Sequence, residues 1–406
     1  MPYIVYFKTD GNLYRVCNDA LELFTLEHLP PKMCSFHLTK PYEATDEDLM
    51  RYATDILNAS NELSKSKELK GFHYIAPYKM KNNELFYRTH RTNIMSVFKM
   101  KSLTEWEQHE DITATEASWM ERCYNAGLQF CEPGEYDCNG YDFSNFYAGL
   151  LGDNKLSELQ IPTKAGKEMY LTELPIPLQS GFYRIDITCT DPNITKVFSF
   201  SNDNVYHYLS IKFIQELNKF HGFSIKYDLI IDDEPNAYIY HHADMIKTKE
   251  IFKDWFKCMK SLKKKYPKNI LVKMLSSSLW GHLSCKNTFF ISLDKVNDLK
   301  KTVGITDDCD YKIVDLIIKD NGEELYELQD TSKPYTYNIR LKPFITAYGR
   351  NKTARVALRM IDDVIRIHTD GIAFKKPINF ELDNFNAEKK TTGHIRFKNI
   401  NNYERL

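Results

Sequence analysis

Apolar positions recur with two periods along this chain, and each change of period marks an element. Residues 46–66 open on the acidic turn Asp46-Glu47-Asp48. They then carry Leu49, Tyr52, Ala53, Ile56 and Leu57 at three- and four-residue spacing, which predicts a helix. Residues 1–45 read as short strands and turns. Residues 68–140 mix short strands with one helix near 114–124, and a strand runs into a helix or turn around 141–150. Residues 160–200 are β-rich, with turn signals at Pro177, Gly181 and Asp191-Pro192. Helices are predicted over 204–220, 245–265 and 269–283. A second strand-rich block follows over 286–342, then a helix over 352–362 and a hairpin over 363–375. The pattern predicts an α+β chain with two β-rich blocks set between helices.

The 406 residues are 43% hydrophobic and 27% charged, an ordinary globular composition with room for two or three structural units and a sizeable core. Net charge is −1, so a nucleic-acid partner would need a local basic groove acting over a screened range of roughly 8–10 Å. Two basic runs exist. Lys257 to Lys268 holds six lysines and no acid, and Lys389 to Lys398 holds Lys389, Lys390, His394, Arg396 and Lys398. Taken alone, such runs read as solvated helix faces or loops. The nine cysteines include no CxxC pair, which gives a zinc site no support and points to a reducing compartment. The N-terminus is not a signal peptide, and no window reaches the ~20 uncharged apolar residues of a membrane span. A soluble intracellular protein is expected, in a host cytoplasm or nucleus or a bacterial cytoplasm, with no membrane partner.

Three segments carry chemistry. In Tyr141-Asp-Phe-Ser-Asn-Phe-Tyr147, Asp142 stands at the end of a strand, where its carboxylate and the Phe143 carbonyl can hold a divalent metal. Tyr147 follows the turn, with a flat ring that can lie beneath a sugar. In Lys273-Met-Leu-Ser-Ser-Ser-Leu-Trp-Gly281, helical spacing puts Lys273, Ser277, Trp280 and Gly281 on one face and Val272, Leu275 and Leu279 on the other. A cation beside a flat, open surface suits a triphosphate and its base. In Val364 to Phe374, two β-rich runs flank Thr369-Asp370-Gly371, a hairpin that can carry the Asp370 carboxylate to a metal held by another strand. Each segment alone reads as easily as a strand-end Asp, an amphipathic helix and an ordinary turn.

In order and content the three resemble motifs A, B and C of family B DNA polymerases. The A pattern D-x-x-S-L-Y-P stands as Asp142-Phe-Ser-Asn-Phe-Tyr-Ala. The B pattern K-x-x-x-N-S-x-Y-G stands as Lys273-Met-Leu-Ser-Ser-Ser-Leu-Trp-Gly, and the C pattern Y-x-D-T-D-S as Arg366-Ile-His-Thr-Asp-Gly. Tyr124-Asn-Ala-Gly127 resembles the Y-x-G-G/A template motif, Thr346-Ala-Tyr-Gly-Arg350 the T-x-x-G/A-R motif, and Tyr403 the tyrosine of K-x-Y. The chain departs from these patterns at Asn145, Ala148, Ser277, Trp280, His368 and, where K-x-Y has its lysine, Asn401.

The resemblance covers about residues 46–406 and is strongest to the protein-primed phage, viral and linear-plasmid branch. It implies an α+β fold: a polymerase palm of antiparallel sheet with helices, helical fingers and two β-rich inserts. The boundaries expected are an N-terminal region with a remnant exonuclease end (1–110), palm (111–159), first insert (160–200), fingers (201–284), second insert (285–340) and the rest of the palm (341–406). It further implies two Mg²⁺ ions, or Mn²⁺, on Asp142, Phe143 and Asp370, with His368 and Thr369 beside them. Nucleotide contacts would be Tyr147, Lys273, Lys260, Ser277 and Trp280, with Lys263 and Lys264 as rivals to Lys260. Contacts to template and primer DNA would be Tyr124, Gly127, Thr346, Arg350 and Tyr403. No exonuclease activity and no thumb are expected of this chain. A terminal protein, or separate exonuclease and thumb chains, are the partners implied. The alternative is a catalytically inactive relative serving as a nucleic-acid-binding or scaffold subunit.

Overall fold

The computed structural model describes residues 3–7, 13–17, 20–23, 35–39, 45, 47, 51, 58–59, 62–63, 66–69, 79–81, 84–86, 90–102, 109–123, 125–292, 311–318 and 324–406. They divide into two compact units. One comprises Met1–Thr104, Phe252–His282 and Ile317–Leu325, and the other Glu105–Ile251, Leu283–Leu316 and Tyr326–Leu406.

The larger unit is built on a seven-stranded antiparallel sheet. Its strands are β1 (Gln129–Cys131), β2 (Gly134–Phe143), β3 (Val364–His368), β4 (Gly371–Phe374), β5 (Phe385–Ala387), β6 (Gly393–Phe397) and β7 (Tyr403–Arg405), in the order β7–β6–β2–β4–β3–β1, with β5 also on β2. Residues 364–367 and 371–374 are all buried, as strands covered on both faces must be. Cys138, Ile365, Ala373, Ile395 and Phe397 form one core of this sheet, with Cys131, Tyr136 and Tyr403 packed against it. The ten residues of β2 serve three partners, because β6 takes its first half and β4 and β5 its second.

Two helices support this sheet, α1 (Phe146–Gly152) and α2 (Lys342–Leu358), which pack on each other. The sequence pattern starts the second helix only at 352. Its first turn carries Pro343, which suits the position because its missing N–H would have no partner there. Most of the surface of α2 is buried, and between its end residues only the stripe of Tyr348, Lys352 and Arg355 is half-buried or exposed. A helix covered so widely shows no distinct apolar stripe. The first β block is likewise longer than its pattern. Lys226–Leu229 and Ala237–Ile239 join Gly181–Thr188 in a five-stranded sheet with Lys167–Met169 and Val205–His207. Strands of three or four residues are too short to display alternation. The second block is a three-stranded sheet of Thr288–Ser292, Glu324–Asp330 and Tyr311–Ile318.

A buried ion pair ties the larger unit together across the chain. Arg340 and Glu116 have no exposed side-chain surface. Arg340 Nε and Nη2 donate to Glu116 Oε1 and Oε2 at 2.6 and 2.9 Å, and the Tyr240 hydroxyl donates to Oε1 at 2.8 Å. The remaining guanidinium hydrogens go to the carbonyls of Glu110, Asp111 and Asn338.

In the smaller unit, Ala20–Leu23, Leu13–Cys17, Tyr3–Phe7 and Ser35–Thr39 form a sheet in that order, its last pair parallel. The helix predicted over 46–66 is seen at Glu47, Arg51, Asn58, Ala59, Glu62 and Leu63, and Ser66 is no longer helical; its other residues, Tyr52 and Asp55 among them, lie outside the described ones. A helix the pattern does not announce, His90–Lys101, has no acidic first turn to mark its start. Its Phe98 stacks on Phe252 at 5.1 Å. Asn269 caps the Ile270–Leu283 helix, its Oδ1 accepting from the Leu271 and Val272 N–H groups. Val272, Leu275 and Leu279 are buried while Lys273, Ser277 and Gly281 are exposed, the split of faces that the spacing predicts. No helix among the described residues is long and apolar enough to cross a membrane.

Removing one member of a buried, hydrogen-bonded ion pair strands a charge, at a cost of about 3–5 kcal/mol. Arg340→Ala should lose that much in urea denaturation, and the double variant Glu116→Met, Arg340→Leu should recover most of it. A loss below about 1 kcal/mol in the single variant would show that the pair does not hold the unit.

Candidate active site

The register of β2 against β4 brings two distant segments to one place. Asp142 lies opposite Gly371, and on its other side opposite Asn386. The Phe143 N–H donates to the Asp370 carbonyl at 3.1 Å, which pins the strand end to the hairpin turn. That turn is Thr369-Asp370, since His368 already pairs with Gly371. Thr369 has φ +63°, a left-handed conformation costly for a β-branched residue but required at the head of tight hairpin turns. Surrounding contacts enforce it: Thr369 N–H donates to Leu128 O, and Thr353 Oγ1 of α2 donates to Thr369 O, both at 2.8 Å.

The result is a pocket of about 360 Å³ lined by Asp142, Arg366, His368, Asp370, Gly371, Glu388, Lys390, Asn401 and Tyr403. A β-carbon added at Gly371 would lie 3.8 Å from both Asp142 Oδ1 and Glu388 Oε2, so two carboxylates face the same point beside the turn. Burial, with Glu388 adding repulsion against hydrogen bonding from its own backbone, pushes the Asp370 carboxyl up to about 6. Burial and then the Arg366 guanidinium push the His368 imidazole down, which keeps it neutral near pH 7. Arg366 is nearly buried; its Nε donates to Ile400 O at 2.8 Å and its guanidinium lies 5.0 Å from the Tyr403 ring centre.

This donor set suits a hard divalent cation. Three carboxylates line one pocket, and burial raises the pKa of one of them, Asp370. No three His, Cys, Asp or Glu side chains among the described residues already close on one metal position. Mg²⁺ does not need that, because it takes one or two carboxylates and completes its shell with water and substrate phosphates.

The other predicted residues fall into two groups. Tyr147 opens α1, its ring edge-on to Phe146 and resting against α2, where a β-carbon at Gly349 would come 3.5 Å from it. Asn145, where the motif has Ser, sits at φ +57°, which Asn adopts more readily than most residues. The Phe143 ring is in the core against Phe146 and Phe385. Lys273, Ser277 and Trp280 stand on the Ile270–Leu283 helix and Lys260 on Thr248–Lys265, in the smaller unit; the Ser277 hydroxyl donates to Lys273 O at 2.8 Å.

The sequence reading makes Thr346, Arg350 and Gly127 DNA contacts, and the structure gives each an internal task. Thr346 and Arg350 are buried, Thr346 bonding its own helix at Lys342 O. Arg350 Nη1 donates to the carbonyls of Asn125 and Ala126 at 2.7 and 2.9 Å, holding the loop before β1. Gly127 in that loop faces Thr369, whose side chain would meet an added β-carbon at 2.7 Å. Arg350 and Gly127 thus support the turn that carries Asp370. Tyr124 lies outside the described residues. Glu388, Lys390 and Arg366 are pocket residues that the sequence pattern did not single out. The run Asn386-Ala-Glu-Lys-Lys390 has no periodicity, and Arg366 stands where the motif has Tyr.

Against solved structures the fold has clear counterparts. It is a polymerase fold. The chain is similar to phi29 DNA polymerase in its ternary complex with primer-template DNA and incoming nucleotide, at 12% identity and a TM-score of 0.55 over 89% of this chain and 61% of that one. The same polymerase bound to single-stranded DNA gives 14% identity and 0.55 over 90% and 61%. Its post-translocation binary complex with primer-template DNA gives 15% and 0.53 over the same shares. The chain therefore spans about three-fifths of the polymerase it matches. No family model matches the chain, and no curated protein matches it.

The raised Asp370 pKa links the site to stability. Its ordinary value is 3.8 and its folded value about 6. Ionising it therefore costs the fold nothing below pH about 4, progressively more from 4 to 6, and a constant amount above, up to about 3 kcal/mol. Asp370→Asn, which cannot ionise, should match the wild type in metal-free denaturation at pH 4 and be the more stable at pH 7. Equal stability at both pH values would show that Asp370 is not strained by its surroundings.

Proposed function

We propose that this chain is the core of a DNA-templated DNA polymerase, joining deoxynucleotides to a primer 3′-hydroxyl. The observation that carries the reading is the meeting of Asp142 and Asp370, from segments far apart in sequence, in one pocket at the end of an antiparallel sheet within a polymerase fold.

Asp142 and Asp370, with the Phe143 carbonyl, are the proposed ligands of two Mg²⁺ ions, and Glu388 faces the same space. The ions, when bound, favour the deprotonated primer hydroxyl and neutralise the leaving pyrophosphate. Asp370 must give up its proton before it can take part, so metal uptake weakens as pH falls through about 6. Tyr147 offers a ring edge beneath the sugar, where it would exclude a 2′-hydroxyl. Lys273 is the proposed phosphate cation, with Lys260 second to it; Ser277 and Trp280 would border the base. Tyr403 borders the pocket from β7, where it would position the primer; Arg350 and Gly127 would act on the template side through the loop before β1, and Thr346 is the proposed third contact there.

The finer reading is replication of a viral, phage or plasmid genome by protein priming, with a terminal protein or separate exonuclease and thumb chains as partners. It rests on the two strand-rich blocks flanking the fingers segment and on the likeness to phi29 polymerase. A second reading, a non-catalytic nucleic-acid-binding subunit, draws on His368 and Asn401, which replace an acid and a lysine of the motifs.

Primer extension with the purified chain, Mg²⁺ and dNTPs separates the two. Extension is expected, with Asp142→Asn and Asp370→Asn each at least 100-fold slower, about 3 kcal/mol in the barrier. Binding of primer-template by a wild type that does not extend it would replace the enzyme reading with the subunit reading.

A further inference from the structure

The basic run Lys389 to Lys398 divides in the structure into three charges already matched and two that are not. His394 Nδ1 lies 2.9 Å from Asp137 Oδ1. Arg396 donates to Glu135 at 2.6 Å and to Glu404 at 2.8 Å, and Lys398 lies 3.5 Å from Glu404. These three face acids on the neighbouring strands β2 and β7. Lys389 and Lys390 make no ion pair among the described residues, and both are exposed. Only Lys390 of the two lines the pocket that holds Asp142, Asp370 and Glu388.

The turn that carries it is fixed to the sheet from both sides. The Glu388 N–H donates to Gly140 O at 2.7 Å, and the Gly140 N–H to Thr392 Oγ1 at 3.1 Å. Thr391 Oγ1 donates to Glu388 Oε2 at 2.8 Å, Thr392 Oγ1 to Glu388 O at 2.9 Å, and Cys138 Sγ to Thr391 O at 2.8 Å. The approach is so close that a β-carbon at Gly140 would lie 1.8 Å from Thr391 Oγ1. The Lys390 backbone is therefore placed by the strand that carries Asp142, and the long side chain supplies a cation at the pocket's mouth.

A pocket with three carboxylates repels a phosphodiester unless cations offset them. Arg366 is one, but its guanidinium is nearly buried, bonded to Ile400 O and set against Tyr403. Asn401, two residues before Tyr403, brings no charge. Lys390 is the pocket's other cation and the one with solvent access. We propose that Lys390 binds a phosphate near the primer 3′-end and holds that end at the carboxylates. This proposal rests on the polymerase reading for the identity of its ligand.

The test is equilibrium binding of a labelled primer-template duplex to the full chain, in Mg²⁺ without nucleotide, over a range of salt. Lys390→Gln should weaken binding roughly three- to tenfold at low salt. It should also reduce the slope of log K against log salt by about 0.7–0.9, the counterion release of one phosphate contact. Lys390→Arg should keep both, and Lys389→Gln should change neither. In extension, Lys390→Gln should raise the KM for primer with kcat within about twofold. An unchanged slope in Lys390→Gln, or an equal loss in Lys389→Gln, overturns the proposal whether or not the chain extends primers. A normal Lys390 effect in a wild type that cannot extend leaves the contact standing and sinks the polymerase reading instead. A wild type that does not bind the duplex sinks both.

Discussion

The pairing of β2 with β4 is the interaction on which the rest of the larger unit depends. It sets Asp142 opposite Gly371 and joins the Phe143 N–H to the Asp370 carbonyl. Side chains alternate along a strand, so a slip of one residue would turn Asp142 away from the pocket and bring Tyr141 or Phe143 into it. Three groups of contacts guard the register. Thr369 is held left-handed by Leu128 and Thr353, Gly127 leaves room for its side chain, and Arg350 fixes the loop on which Gly127 sits. The α2 helix supplies Thr353, Arg350 and the Gly349 gap beneath Tyr147, which explains why so polar a segment is buried over most of its surface.

Stability and chemistry pull against each other at this pocket. Burial that excludes water also raises the Asp370 carboxyl to about 6, with Glu388 adding to the effect. The fold must carry a carboxylate that ionises reluctantly, and the offset comes from elsewhere. Packing of Phe143, Phe146 and Phe385 closes the floor beside the strand end. A divalent cation would remove the electrostatic part of the cost, since it stabilises the ionised form that burial disfavours.

Charge is arranged locally, which is how a chain with net charge −1 can present a site for a polyanion. Along β6 and its neighbours, basic and acidic side chains face one another strand to strand, so that edge has little field of its own. Of the two unmatched cations, Lys390 stands where the carboxylates are. A basic run in the sequence thus has two physical meanings, and only cross-strand pairing tells them apart.

Local order in the sequence was enough to determine much of this protein. The period of apolar residues marked the Ile270–Leu283 helix and its two faces and the Val364–Phe374 hairpin. The types and order of residues in three segments pointed to Asp142 and Asp370. The tertiary structure decided what depends on non-local pairing and burial. It joined Glu388 and Lys390, from an aperiodic polar stretch, to the two aspartates, because β5 and the turn after it fold back on β2. It gave Arg350 and Gly127 a part in holding the turn that carries Asp370, because α2 packs its buried side against the loop before β1. It lengthened that helix past a segment whose burial erases the amphipathic signal. Periodicity reports which face of one element is wet; which elements share a face is set by strand register and packing, and neither is written in any single stretch of sequence.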